Sequence, residues 1–196
     1  MPTPRHTGAH RRDAIALAAR GLIVEKGIEG LRTRDVAARV EINIATFHYH
    51  VPTKEAVVAL VADSAAAAFA ELLPKGAAEG APPLVRLRAE LAAFAAIVED
   101  HPELTSVLAE IDQRATREPA LRAPLERVRV RWLGNLVNIL AQGKRDGSFR
   151  DDLDPPAAGA MMVAALTGAS RIPGTGAAFI AAICAELERA VGVRDV

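Results

Sequence analysis

IATFHYHVPTKEA, residues 44–56, sets two histidines and a tyrosine side by side between the apolar Phe47 and Val51, then runs into Pro52, Thr53, Lys54 and Glu55. Asn43, just before it, is a good helix N-cap, and Pro52 keeps the residue ahead of it out of helical angles. The segment therefore reads as a helix of about two turns over 44–50. With Phe47 as origin and about 100° per residue, Val51 falls at roughly 40° and Ile44 at roughly 60°, the side expected to face inward. Ala45 at roughly 160°, Tyr49 at roughly 200° and Thr46 at roughly 260° lie outward, with His48 at roughly 100°.

That outward surface admits three chemistries. A metal site needs ligands three or four residues apart on one helix face, whereas His48 and His50 are two apart, and no Cys, Asp or Glu has ligand spacing nearby. A catalytic site would carry a nucleophile elbow, a phosphate-cradling glycine loop or a paired-carboxylate motif, and the chain has none of these patterns. No catalytic residue, metal or cofactor is therefore expected. The third chemistry is contact with DNA: in a major groove apolar groups meet thymine methyls, and hydroxyls and imidazoles bond base edges and phosphates. On periodicity alone, a plain solvated helix face is an equal alternative.

The neighbouring segments give this helix a context. Ile15, Ala18, Ala19, Leu22 and Ile23 recur at helical spacing over 10–26, and Gly27 ends the pattern. A short helix follows from about Thr33 to Val40, and a tight turn joins it to 44–50, the layout of a helix-turn-helix. A fourth helix starts at Thr53 or Lys54 and runs to Leu73, before the loop PKGAAEGAPP at 74–83. Leu84–Asp100 carries the stripe Leu84, Leu87, Leu91, Phe94 and Val98. Pro102 opens a helix with Leu104, Leu108 and Ile111, and ATREPALRAP at 115–124 reads as a break. Helices over about 121–145, from Pro155 to about Ala169, and over about 176–191 complete the chain, with RIPGTG at 171–176 as a turn. With no strand pattern and no fixed-period repeat, the fold class is all-α, with about nine helices.

Composition agrees. The 196 residues suit one medium domain, or a small domain joined to a larger one, and the 51% apolar content permits a sizeable core. Alanine is abundant and aromatics make up only 4%, which favours close-packed helices over sheets. The single cysteine, Cys184, cannot form an intrachain disulfide, which fits a reducing compartment. The N-terminus MPTPRHTGAHRRD is polar and basic, unlike a secretory signal, and the apolar runs Ala157–Leu166 and Ala177–Ala185 are too short to span a bilayer. The expected setting is cytoplasmic, with no membrane partner. Net charge is zero, yet residues 1–60 hold nine Lys/Arg against six Asp/Glu and four of the five histidines. A mildly basic head on a mildly acidic body hints at an anionic partner for the head.

GIEGLRTRDVAARVEINIATFHYHVPTKEAVVAL, residues 27–60, resembles the N-terminal signature of the tetracycline-repressor (TetR) family of bacterial transcription regulators. Arg34, Val36 and Ala37 match that signature's second helix; Thr46, Phe47, His50, Val51, Lys54, Glu55 and Val57 match its third helix and the start of its fourth. Three positions depart from it: Glu41 stands at the turn glycine, His48 at the usual first tyrosine, and Arg32 at the usual Ser/Thr cap. The resemblance implies an N-terminal three-helix helix-turn-helix DNA-binding domain at 1–53 and a larger helical effector-binding and dimerisation domain at 54–196. It implies that Arg34 meets a base or phosphate, that Thr46, His48, Tyr49 and His50 contact bases and phosphates, and that Lys54 meets a phosphate. Asn43 either caps its helix or donates to a phosphate. Arg11 and Arg12 add unspecific phosphate contacts or form a basic tail.

The body of the chain offers weaker signals. AAGAMMVAALTGA and AAFIAAICA are apolar nearly all round and rich in small residues, as suits a four-helix bundle between two subunits or an internal core. Met161 and Met162 are filler in either, and Cys184 is expected buried. Phe94 and Trp132 are candidates for a ligand pocket or for plain core. Asn135 sits at the edge of the Trp132 stripe and needs a partner, from a ligand or from a neighbouring helix. His101 reads as a helix-end residue. The function these readings support is a homodimeric, ligand-responsive regulator: a repressor that leaves a palindromic operator in double-stranded DNA when a small-molecule effector binds. Its rivals are a helical enzyme with an idle DNA-binding head, and a protein-interaction module.

Overall fold

The structure, a computed structural model, describes residues 8–74, 80–172 and 176–192. Parts of the expected loop at 74–83 and turn at 171–176 lie outside them. The described residues form nine α-helices and no strand: α1 (Gly8–Gly30), α2 (Thr33–Arg39), α3 (Ile44–His50), α4 (Lys54–Leu72), α5 (Pro83–Asp100), α6 (Pro102–Ala115), α7 (Pro119–Asp146), α8 (Pro155–Ala169) and α9 (Ala177–Ala190). No helix among them is long and apolar enough to cross a membrane. The helices cluster into two compact units. One holds the described residues up to Ala68 together with Ser106–Glu126, the other Phe69–Thr105 together with the described residues from Arg127 onward.

In the first unit, α1, α2 and α3 pack on one another around Ile15, Ala19, Leu22, Val36 and Phe47, all of them buried. Gly27 interrupts α1 where the sequence pattern stops: its φ of 70° and ψ of 168° are open to glycine and strained for other residues, and the chain then resumes a helical turn to Gly30. Two ion pairs fasten α2 to α1. Arg39 grips Glu25 with Nη1 and Nη2, at 2.9 and 3.0 Å, and Lys26 Nζ lies 3.1 Å from Asp35. Arg11 and Arg12 lie in the first turns of α1 and so form helix, not a tail.

The break expected at 115–124 is much narrower. α7 starts at Pro119, whose fixed φ and missing N–H suit a first turn, and takes Pro124 into the helix as well. Pro124 still lacks the N–H that would have paired with the Ala120 carbonyl, but so near the helix start the loss is confined to one bond.

In the second unit, α5 and α8 both pack on α9. Asp154 caps α8, its Oδ1 accepting from the Ala157 N–H at 3.1 Å. A Cβ on Gly159 of α8 would lie 3.0 Å from Val137 of α7, so the absence of a side chain there lets the two helices close up. Arg88 of α5 pairs with Glu188 of α9. Cys184 is half-buried with its thiol toward the Leu91 carbonyl, and burial pushes its ionisation upward, which leaves it a weak nucleophile. Met162 is buried, whereas Met161 is 63% exposed on the outer side of α8.

Candidate functional site

α3 is built as its flanking residues dictate. Asn43 adopts extended angles, and its Oδ1 accepts from the Thr46 N–H at 2.7 Å, so its side chain is spent on capping. Val51 turns extended before Pro52, and Thr53 then starts α4 by accepting from the Ala56 N–H at 3.1 Å. Phe47 and Val51 are buried and anchor the helix. Ile44, expected inward, is 45% exposed.

The turn between α2 and α3 runs through Glu41 at φ 55°, the one non-glycine residue with positive φ among the described residues. The turn thus has the left-handed geometry that glycine favours, and a Cβ there costs about 1–2 kcal/mol. The Glu41 and Ile42 amides close the turn on the carbonyls of Ala38 and Ala37, at 3.2 and 3.0 Å.

The outer face of α3 carries Tyr49, 86% exposed, and Ala45 and His48, also exposed. Thr46 and His50 are half-buried at its sides, and the Tyr49 and His50 rings meet edge to face at 5.2 Å. His48 Nδ1 lies 3.0 Å from the Pro52 carbonyl oxygen. A carbonyl partner requires the proton on Nδ1, which leaves Nε2 for another partner. Arg34, on α2, is exposed and 4.0 Å from Asp35. Lys54 Nζ donates to the Glu29 carbonyl at 2.9 Å, in the last turn of α1. An ammonium has three donors, so this bond leaves two for another acceptor. Tyr49 is thus open to a partner as it stands, Arg34, His48 and Lys54 each keep bonding capacity beside one internal partner, and Asn43 is used internally.

The second unit holds a cavity of about 420 Å³ lined by Ala70, Glu71 and Leu73 at the end of α4, with Pro74, Glu90 of α5, and Arg131, Trp132 and Asn135 of α7. Two of the three pocket candidates read from the sequence, Trp132 and Asn135, line it. Phe94 stands behind them, its ring stacked on Trp132 at 5.4 Å, with Phe69 edge-on to both. Glu90 has no counterpart in the sequence reading. It is 1% exposed, the one charged residue so deeply buried among those described. The Trp132 indole N–H donates to its Oε2 at 3.2 Å and the Asn135 amide to its Oε1 at 2.5 Å. The partner that Asn135 required is therefore a neighbouring helix. Burial pushes the Glu90 carboxyl above the usual carboxylate range, partly opposed by these two hydrogen bonds and by the charge of Arg86. His101 caps α5 through its backbone N–H, while its ring lies 3.8 Å from Glu103.

A short helix with an exposed outer face, joined through a left-handed turn to the helix before it, defines a helix-turn-helix protein, and its second unit carries a cavity. Residues 15–61 match the model for the bacterial regulatory proteins of the tetR family, and residues 83–172 match the model for a tetracyclin repressor-like C-terminal domain. The chain belongs to the TetR family, whose members bind DNA and are modulated by small-molecule ligands. Comparison with curated proteins finds no significant match. Among solved structures, a protein from Saccharomonospora viridis in complex with choline is 19% identical, with a TM-score of 0.79 over 96% of this chain and 100% of that one. A TetR-family regulator from Agrobacterium tumefaciens is 21% identical, with a TM-score of 0.74 over 94% of this chain and 99% of that one. AibR, solved with isovaleryl coenzyme A and operator DNA, is 20% identical, with a TM-score of 0.72 over 92% of this chain and 97% of that one. At these identities the likeness establishes the fold.

Proposed function

We propose that the protein is a homodimeric repressor that reads a palindromic operator with α3 of each subunit and leaves it when a small molecule enters the cavity beside Glu90. The observation that carries this reading is the outward face of α3: Tyr49 stands free in solvent while Phe47, two residues earlier, is fully buried. A tyrosine so exposed adds nothing to the core, and its ring and hydroxyl suit base edges and phosphates. Arg34 and Lys54 flank it with positive charge for the backbone, and the exposed His48 imidazole suits a base edge or a phosphate. Residues 1–53 would read DNA, and residues 54–196 would hold the effector and the second subunit.

Dimerisation is supported by the outer sides of α8 and α9. Ala160, Met161, Ala164, Phe179 and Ala182 are all exposed, a concentration of apolar groups that a second copy would cover. Regulation is supported by α4, which starts at Lys54 next to α3 and contributes Ala70 and Glu71 to the cavity wall. An effector that favours one setting of α4 would alter the spacing of two recognition helices, which must match successive major grooves about 34 Å apart. AibR and the choline-bound protein show two unlike ligands on this fold, so the fold leaves the effector open. A cytoplasmic setting follows from this function. Titration of a labelled operator, taken from the DNA beside the protein's own gene, tests the reading. Tight binding at low salt that a cavity ligand weakens supports it, and operator affinity indifferent to every ligand that binds the protein removes it.

A further inference from the structure

Glu90 is a carboxylate without a bonded counter-ion. Its two oxygens are held by the Trp132 indole and the Asn135 amide, both neutral donors. They orient the group but leave its charge. The nearest cation along the helix is Arg86, one turn earlier on α5; its charge acts on Glu90 without a bond to it, since Nη1 donates to Gln142 Oε1 at 2.5 Å and Nε is buried without a partner. Arg131, at the cavity, is exposed and has Nη2 3.3 Å from the Ala70 carbonyl oxygen. Buried charges are kept where they are paired, and here the space next to the charge is a cavity that Glu90 itself lines. Trp132 contributes an aromatic wall stiffened by the stacked Phe94.

We propose that this cavity takes an organic cation, an amine or ammonium group on an apolar body, with the positive charge set against Glu90 and the apolar part along Trp132. The inference deepens the effector reading given above and rests on it for its regulatory meaning, though the binding it describes stands alone. The two neutral donors fix the carboxylate at the cavity wall. A cation entering there gains a charge-assisted hydrogen bond to a carboxylate almost wholly removed from water, where such a bond is stronger than at the surface. Aromatic rings add attraction for a positive charge that they do not offer to a neutral or anionic group.

The probes are 4-phenylbutylamine, 4-phenylbutanol and 4-phenylbutyrate, which share one skeleton and differ in charge. Trp132 is the only tryptophan in the chain and its N–H bonds Glu90, so its fluorescence reports binding directly. The full-length protein is titrated with each probe, as wild type and as Glu90→Gln, and circular dichroism verifies that the variant is folded. The amine should bind about ten-fold or more tighter than the alcohol, the butyrate should be weakest, and Glu90→Gln should bring the amine down to the level of the alcohol. Equal or tighter binding of the alcohol or the butyrate, an amine preference that survives in Glu90→Gln, or no binding of the amine at millimolar concentration each overturns the proposal. Operator binding is measured in parallel. A protein that never binds operator defeats the regulator reading and leaves the probe affinities standing, whereas an operator released by a neutral or anionic ligand keeps that reading and defeats this one.

Discussion

Asn135 and Glu90, on helices α7 and α5, are joined by an amide-to-carboxylate hydrogen bond of 2.5 Å between residues 45 apart in the chain. The bond settles two positions at once: it satisfies a half-buried amide and it fixes a carboxylate that the core has almost wholly removed from water. What it does not supply is a positive charge, so the folded state holds Glu90 at a disadvantage whenever the group is ionised.

The pH dependence of stability follows. The folded carboxyl binds its proton more tightly than the unfolded one, because burial disfavours the anion. Folded protein therefore binds more protons between the ordinary glutamate value and the raised one, and stability falls as pH rises through that interval. Arg86, on the same helix, opposes the rise, and Arg131 and Glu71 line the same cavity. Glu90→Gln removes the ionisation and keeps the shape. Thermal melts should place this variant above wild type at about pH 8, with the gap narrowing toward about pH 5. A gap that is constant or that widens on acidification would show that Glu90 is not held at a raised value.

Glu41 occupies a left-handed position, at φ 55°. Glu41→Gly relieves the Cβ penalty but adds freedom to the unfolded chain, so the net gain should be up to about 1 kcal/mol. Urea unfolding should show a higher midpoint with an unchanged slope. A lower midpoint would mean that the Glu41 side chain holds the turn by contacts that outweigh the strain.

The Asn43 cap is a local device with a local cost. Asn43→Ala leaves the Thr46 N–H without its side-chain partner and should cost about 1 kcal/mol, while Asn43→Asp or Asn43→Ser should be close to neutral. Because α3 has only seven residues, loss of the cap should also weaken operator binding with little change in salt dependence. Equal losses in Asn43→Ala and Asn43→Ser would point to a phosphate contact by the amide.

Lys54 is expected to act through charge alone. Lys54→Ala should weaken binding to all DNA sequences and reduce the steepness of the salt dependence by about one counterion. It also removes the bond to the Glu29 carbonyl, so a modest drop in stability should accompany it. An unchanged salt slope would assign Lys54 to the fold only.

Much of this was legible in the chain because it rests on local chemistry. Asn43, Pro52 and Thr53 bracket α3 by rules that act over three or four residues, and α3 and α8 occupy the residues their punctuation marks. The start of α7 reads as a break because two prolines and a run of charge resemble one, while a helix accepts both prolines near its beginning. A helical wheel turns Ile44 inward but gives direction only; whether a neighbour covers that end of a two-turn helix is tertiary information. Glu90 did leave a trace, since it falls three residues after Leu87 and four before Phe94, on the apolar stripe of α5. A carboxylate on such a stripe is the mark of a buried charge, but its partners come from α7, and no rule of spacing along α5 names them.

The central claim is that α3 presents Tyr49 to base pairs from each half of a two-fold dimer. Nuclease protection of the DNA beside the protein's own gene, with wild type and Tyr49→Ala compared at one low salt concentration, tests it most directly. Tyr49 is exposed, so the substitution should leave folding stability within about 0.5 kcal/mol. Wild type should protect one symmetric site with half-sites about one helical turn apart, and Tyr49→Ala should lose that discrimination while keeping weak unspecific binding. A site protected equally by both proteins, or no protected site at all, would contradict the account.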